Sequence, residues 1–298
     1  MEPAVMTIAA ASHPARERWW RGRTMRRFMA NRLALFGAAA IVLLVLACVI
    51  GPSLLPYTSL SIDLRARFAP PFTGSHYLGT DPLGRDMAAR LFMAGRISLA
   101  VGFAAMLLST IIGTLIGVIA GYRGGWIGAV LMRMVDGFLS FPSIFLVLAL
   151  AAALKPSAMM ITVVIAATSW MEVARIVETE VRSLREREFV QAGRMLGLSG
   201  THIMFREILP NAIGPIIVAA TLTVARAILM EAYISFLGYG IQPPLPSWGN
   251  MLDGAQRYLG SAPWLAIIPG AAITIAVASF NFIGDGLRDA FDVRGDHK

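Results

Sequence analysis

The sequence has 298 residues, of which 56% are hydrophobic and only 15% are charged, and its formal net charge is +8. A soluble domain carries about 25% charged residues, and a soluble chain this apolar would expose patches that aggregate. The composition therefore excludes a soluble domain and indicates a lipid-facing surface. Its basic residues, almost all Arg, lie mostly between long apolar runs, which favours a membrane protein over a nucleic-acid-binding one.

The chain opens with an Arg-rich polar segment, residues 1–32. The apolar run that follows is too long for the core of a signal peptide, so we expect a retained first membrane span. A hydrocarbon core of about 30 Å needs roughly 20 apolar residues in a helix, and open strands cannot cross lipid. The sequence therefore predicts an all-α integral membrane protein with six transmembrane helices, at 33–55, 97–122, 127–154, 158–176, 212–237 and 264–283.

The distribution of arginines predicts the orientation of these spans. The segment before the first span and the loop between the fourth and fifth are rich in Arg, and cytoplasmic loops carry such an excess. We therefore expect both termini in the cytoplasm. The predicted units are a cytoplasmic N-terminal segment (1–32), a first helix with an external loop (33–96), a five-helix core (97–286) and a cytoplasmic tail (287–298).

In the second span, Gly113 and Gly117 have the small-xxx-small spacing that allows helices to pack closely. The sequence therefore predicts a close helix contact there.

The charged loop 178–211, within the predicted core, contains an amphipathic segment. Helix-favouring residues 188–196 end at Gly197, a residue that takes the left-handed conformation at helix C-termini without strain. Ser199 can cap a second helix running to about Leu209, and Pro210 separates it from the fifth span. The loop therefore predicts a helix, a tight turn and a second helix under the membrane, with apolar side chains that need a partner.

This loop resembles the cytoplasmic coupling loop of ABC importer permeases, which reads Glu-Ala-Ala, three residues, Gly, nine residues, then Ile-x-Leu-Pro. Gln191 and Gly193 stand where the family has Glu and its second Ala, and Glu207 stands at the Ile position. The positions that match in residue and spacing are Ala192, Gly197, Leu209 and Pro210.

Three further segments resemble the second permease subunit of dipeptide and oligopeptide importers. They are 76–86, with His-Tyr-Leu-Gly-Thr-Asp followed by Gly-Arg-Asp; 235–249, with Ser-Phe-Leu-Gly and Pro-Ser-Trp-Gly; and 280–289 near the C-terminus. The resemblance implies a type I ABC importer permease fold. It implies a sister permease subunit, two cytoplasmic ABC ATPase subunits or domains, an extracytoplasmic solute-binding protein and a bacterial inner membrane location.

In that family the loop docks on the ATPase and transmits its closure to the membrane helices. The sequence has no GxxxxGK[ST] stretch, so we expect no enzymatic activity and no bound cofactor on this chain. ATP and Mg²⁺ would be used by the partner ATPase subunits. The resemblance favours di- or oligopeptides as the solute, with nickel complexes, glutathione, opines and sugars left open.

Ionisable residues inside spans are expensive in lipid and should face protein or water. Arg226 and Glu231, in the fifth span, are candidates for a transport pathway or a buried pair, whereas Asp136 and Glu172 are expected to make helix-to-helix pairs or lie near headgroups. The histidines are scattered, so no metal site or catalytic cluster is expected. The alternatives are a self-contained secondary transporter, which predicts two repeated halves, and an intramembrane enzyme; either would leave the 178–211 loop unexplained.

Overall fold

The computed structural model describes residues 22–292. Most of the predicted N-terminal segment, including Arg16, Arg18 and Arg21, and the last six residues of the predicted C-terminal tail lie outside the described residues. The described part is helical apart from loops and two isolated β-bridges. Its α-helices are α1 (Arg23–Ala30), α2 (Arg32–Leu54), α3 (Met87–Arg123), α4 (Gly125–Leu139), α5 (Ser143–Ala153), α6 (Ala158–Arg185), α7 (Glu188–Met195), α8 (Gly200–His202), α9 (Leu209–Asn211), α10 (Ile213–Phe236), α11 (Trp248–Leu252) and α12 (Trp264–Phe291), with a π-helical segment, Ile203–Ile208, between α8 and α9.

Five helices are each long and apolar enough to cross a bilayer: α2, α3, α6, α10 and α12. The sixth span exists only if α4 and α5 are taken together, and these two helices are bent by 80°. The prediction of six spans is confirmed on that basis, but the single helix expected at 127–154 is wrong. Pro142 has no N–H to donate and its ring clashes with the preceding turn, so the helix breaks before it.

Two helices are longer than the spans predicted for them. The segment before the second span is continuous with it in α3, whose 37 residues reach about 55 Å at 1.5 Å per residue. The fourth span continues in α6 to Arg185, beyond the apolar run. Both helices therefore project out of the hydrocarbon layer, α3 on the external side and α6 on the cytoplasmic side.

A glycine stripe on α3 sets its distance from α6. A Cβ atom on Gly113, Gly117 or Gly121 would lie 2.6 to 2.8 Å from a backbone carbonyl oxygen of α6. Real Cβ atoms do not approach that closely, so only glycine allows this separation. The close packing predicted from Gly113 and Gly117 is confirmed, and Gly121 extends it by one more turn.

A side-chain contact completes the hydrogen bonds of α2. Pro52 lies inside α2 and lacks the N–H that would bond the carbonyl of Cys48 one turn earlier. The Nε of Arg96, on α3, donates to that carbonyl at 2.8 Å. Arg96 belongs to the predicted external segment 33–96, where the orientation rule expects few arginines. Its hydrogen bond to α2 gives this arginine a structural role.

The external loop and α11 cover the outer ends of the helices. Asp81 organises the loop, because one carboxylate oxygen accepts from the backbone N–H groups of Leu83 and Arg85. Trp248, at the start of α11, is fully buried and its Nε1 donates to the carbonyl of Leu91 on α3 at 3.1 Å. Through α11, the segment 238–263 thus docks on the outer part of α3.

Candidate functional site

The cytoplasmic loop forms the predicted helix and turn. After α7, Gly197 has φ of +78°, and its N–H donates to the carbonyl of Arg194 at 3.0 Å. The N–H of Leu198 donates to the carbonyl of Gly193 at 3.1 Å. These two bonds make a Schellman motif, in which the left-handed position favours glycine. The motif fixes the direction in which the chain leaves α7.

One face of α7 is anchored to the membrane helices. Val190 is fully buried, and it packs in a cluster with Val177 and Val181 of α6 and Val118 of α3. Gly193 is buried too, and a Cβ there would lie 3.3 Å from a methyl group of Leu198. This cluster therefore packs α7 against both α6 and α3.

The opposite face of α7 is apolar and exposed. Met195 is 89% exposed and Leu196 is 80% exposed, and both lie at the tip of the loop. Ala192 is on the same exposed side, while Gln191 is half-buried. The sequence predicted that this loop carries apolar side chains that need a partner, without identifying Met195. Met195 follows Ala192 by three residues and shares its side of the helix.

The second half of the loop differs from a plain helix. Ser199 accepts a hydrogen bond from the N–H of His202, as predicted for a cap. The following residues 203–208 are π-helical, and Leu209 and Pro210 begin the short helix α9. Ile203, Met204 and Ile208 are buried in the same cluster as Val190. Both arms of the loop are therefore fixed to one core, with the exposed tip between them.

Arg226 lies in the middle of α10 and forms an ion pair with Glu172 of α6. It is about 20 Å from Ile213 and about 15 Å from Phe236 along the helix, at 1.5 Å per residue. The two side chains are 62% and 51% exposed in the isolated chain. An exposed ion pair this deep in a bilayer is costly against lipid, so this face must meet water or another protein.

Polar groups surround the ion pair. A small cavity beside it is lined in part by Ser143, Thr168 and Thr223. Ser143 reaches this place because the chain bends before α5. One turn further along α6, Arg175 pairs with Asp136 of α4. The structure thus brings four ionisable residues and several hydroxyl groups to one side of α6.

Glu231 does not belong to this polar face. It is fully buried, and its two carboxylate oxygens accept hydrogen bonds from the hydroxyls of Ser98 and Ser235, each at 2.7 Å. Arg226 and Glu231 are five positions apart, which places them about 140° apart around the helix. The structure therefore separates the two candidates: Arg226 pairs with Glu172, and Glu231 links α10 to α3.

Within residues 22–292, no group of three or more His, Cys, Asp or Glu side chains could hold a metal ion. The helix-to-helix pairs expected for Asp136 and Glu172 are present, but the sequence analysis did not identify Arg175 and Arg226 as their partners.

Comparison with known proteins gives two family matches. Residues 113–295 match the family described as binding-protein-dependent transport system inner membrane component. Residues 19–71 match the N-terminal transmembrane domain of oligopeptide transport permease C.

Individual relatives cover nearly the whole chain. A Brucella suis biovar 1 protein named as a peptide permease is 45% identical over 92% of this chain and 91% of its own length. The oligopeptide transport system permease protein of Salmonella typhimurium is 43% identical over 90% of this chain and 89% of its own length. The dipeptide transport system permease protein of Alkalihalophilus pseudofirmus is 39% identical over 92% of this chain and 89% of its own length.

Among solved structures, a chain of the MetNI methionine ABC transporter in an inward-facing conformation superposes with a TM-score of 0.56 at 21% identity. The match covers 68% of this chain and 97% of that one. At that identity the match establishes the fold, which confirms the predicted importer permease architecture.

Proposed function

Because the chain belongs to the family of inner membrane components of binding-protein-dependent transport systems, we propose that it is a permease subunit of an ATP-driven importer of peptides. It is a multi-pass membrane protein, and its place is the bacterial inner membrane. It pairs with a sister permease subunit. Two cytoplasmic ABC ATPase subunits or domains bind below, and an extracytoplasmic solute-binding protein delivers the peptide from above.

The observation that carries the coupling role is the division of α7 into two faces. Val190 is fully buried, whereas Met195 and Leu196 are almost fully exposed. Large apolar side chains at this exposure mark a site of protein contact when they form one patch. The patch, defined by Ala192, Met195 and Leu196, is the surface that docks on an ATPase subunit.

Coupling follows from how this patch is attached. ATP and Mg²⁺ act on the ATPase subunits, and closure of those subunits displaces the docked tip. The displacement passes through the cluster around Val190 to α6 and α3, and α3 is held to α6 by its glycine stripe. Both helices move together, which switches the transporter between its inward- and outward-facing states. Nucleotide shifts this equilibrium by binding one state more tightly than the other.

The pathway role is assigned to the face that carries Arg226 and Glu172. This face is open on the isolated chain, so the sister subunit or water must cover it in the assembled transporter. The hydroxyl groups of Thr168 and Thr223 line the cavity beside the pair. They donate to backbone carbonyls of their own helices, so toward the cavity they can only accept hydrogen bonds, while Arg226 supplies donors. A peptide backbone, which carries both donors and acceptors, matches such a surface.

The coupling proposal is tested by purification in mild detergent of the tagged chain and its Leu196→Glu variant from native membranes. Leu196 is exposed, so the variant keeps its own packing while placing a charge in the docking patch. We expect the wild type to recover a sister permease and ATPase subunits, and Leu196→Glu to lose the ATPases while keeping the permease.

The matched control is Leu64→Glu, which places the same charge at a residue that is 63% exposed in the external loop. It should recover every subunit. If the wild type is recovered alone and still transports solute, the importer assignment is refuted and a self-contained secondary transporter replaces it.

A further inference from the structure

The external side of the chain contains a pocket that the proposed transport role does not use. It has a volume of about 210 Å³ and lies between the external loop, the first turn of α3 and the segment around α11. The charged side chains in its lining are Asp81, Arg85, Arg90, Asp253 and Arg257. Arginines therefore outnumber carboxylates in the wall.

Arg90 is the side chain that points to a missing ligand. It is only 7% exposed, and its Nη1 has no hydrogen-bond partner among residues 22–292. Its Nε is 3.6 Å from a carboxylate oxygen of Asp81, which is a long contact. Leaving a buried charged donor unpaired is expensive, so an acceptor beyond those that the described residues supply would stabilise the Arg90 side chain.

Asp81 does not fill that need, because the three hydrogen bonds that it accepts come from other donors. One oxygen accepts from two backbone N–H groups, and the other accepts from the Nε of Arg85 at 2.6 Å. Arg257 stands at the exposed rim and makes no ion pair within the described part of the chain. Arg257 thus leaves positive charge free at the rim, and Arg90 leaves an unpaired donor at the floor.

The chemistry of the lining selects the kind of anion. A guanidinium group binds planar anions such as carboxylate through two parallel hydrogen bonds. Pro82, Met87, Met251 and Leu265 also line the pocket. These apolar side chains suit a carboxylate attached to an organic body better than a hydrated inorganic ion.

We propose that this pocket binds an organic carboxylate on the external side, with Arg90 and Arg257 as its ligands. The carboxylate has two sources: the C-terminus of a free peptide, or an acidic side chain on a protein that docks from outside. The first source rests on the peptide transport proposed above, whereas carboxylate binding itself does not.

The test measures protection of Arg257 from phenylglyoxal, with the full chain in lipid nanodiscs and the modification at each arginine quantified by mass spectrometry. The probes are N-acetyl-Ala-Ala, whose carboxylate is terminal, and N-acetyl-Gly-Glu-Gly-amide, whose carboxylate is on a side chain. N-acetyl-Ala-Ala-amide is the uncharged control. At a probe concentration about four times its Kd, modification of Arg257 should slow about fivefold.

Arg65 is exposed in the same external loop but lies outside the pocket, so it serves as the internal control. Phenylglyoxal should modify it at the same rate with and without each probe. Arg90→Gln should abolish the protection of Arg257 by both carboxylate probes, each compared with the same variant in the absence of probe. Protection by the terminal carboxylate alone identifies a peptide end as the source, and protection by the glutamate probe alone identifies a partner protein.

Equal rates at Arg257 with and without both carboxylates, or equal protection by the amide, would overturn the proposal. This outcome is read on wild-type protein, so it does not depend on the folding of Arg90→Gln. It leaves the recovery of ATPase subunits unaffected and is therefore distinct from a failure of the importer assignment.

Discussion

Replacing Glu231 by Gln tests whether the carboxylate works as a double acceptor that joins α10 to α3. The hydroxyl oxygen of Ser98 accepts from the N–H of Trp248 at 3.2 Å, and that of Ser235 accepts from the N–H of Ile241 at 3.1 Å. Each hydroxyl proton must therefore point to Glu231. Glutamine offers one oxygen and one NH₂ group, so it can satisfy only one of the two serines.

The expected loss of unfolding free energy follows from the number of serine hydroxyls left without an acceptor. One buried hydroxyl loses its acceptor, which costs about 1–3 kcal/mol. In a chain of this size, each kcal/mol lowers Tm by roughly 2–4 °C, so Glu231→Gln should melt about 2–12 °C below the wild type. Glu231→Ala leaves both hydroxyls unpaired and opens a cavity, and should cost about 3–5 kcal/mol.

The assay is thermal unfolding of the detergent-purified chain, followed by the loss of the monodisperse peak in fluorescence-detected size exclusion. Glu188→Gln makes the same chemical change at an exposed position and should melt with the wild type. A Glu231→Gln variant that does so as well would refute the double-acceptor role. Rescue of Glu231→Gln by Arg226→Gln would instead show that these two residues pair, contrary to the structure.

Three further outcomes are expected. Gly117→Leu should prevent accumulation of folded chain, because the leucine side chain would overlap the backbone of α6. Gly137→Leu should be tolerated, because the space around its Cβ position is open. Immunoblotting of membranes measures both variants, and a normal level of Gly117→Leu would contradict the close packing of α3 on α6. Arg96→Met should lower Tm, since it leaves the carbonyl beside Pro52 without a donor, and Arg96→Lys should restore part of the loss in the same melting assay. Arg226→Glu should abolish transport of a labelled peptide without losing the ATPase subunits. The double variant Arg226→Glu/Glu172→Arg should recover part of that transport. Normal transport by Arg226→Glu, together with no transport by the double variant, would argue against the pathway role.

Local sequence chemistry was sufficient for the cytoplasmic loop. The end of α7 at Gly197 and the cap at Ser199 depend on the conformation of one residue and on hydrogen bonds within a few positions, so they can be read in order along the chain. The apolar runs likewise predicted the spans, because a bilayer imposes a minimum length on every helix that crosses it.

The sequence did not determine the break in the third span, although Pro142 was its signal. A proline in a membrane helix can kink it, or be accommodated when neighbours satisfy the freed carbonyl. Which outcome occurs depends on the surrounding helices. Pro52 illustrates the second case, because α2 continues through it where Arg96 supplies the missing donor.

The sequence by itself determined the membrane class, the number of spans, the turn at Gly197 with the cap at Ser199 and, through its resemblance, the family. These features depend on composition, on periodicity and on residues close together in the chain. Only the tertiary structure decided the partners of the ionisable residues. Arg226 and Glu231 are near in sequence yet face different sides of one helix, whereas Arg226 and Glu172 come from different helices. Their pairing and the external arginine pocket both depend on how separate helices pack, which no local pattern records.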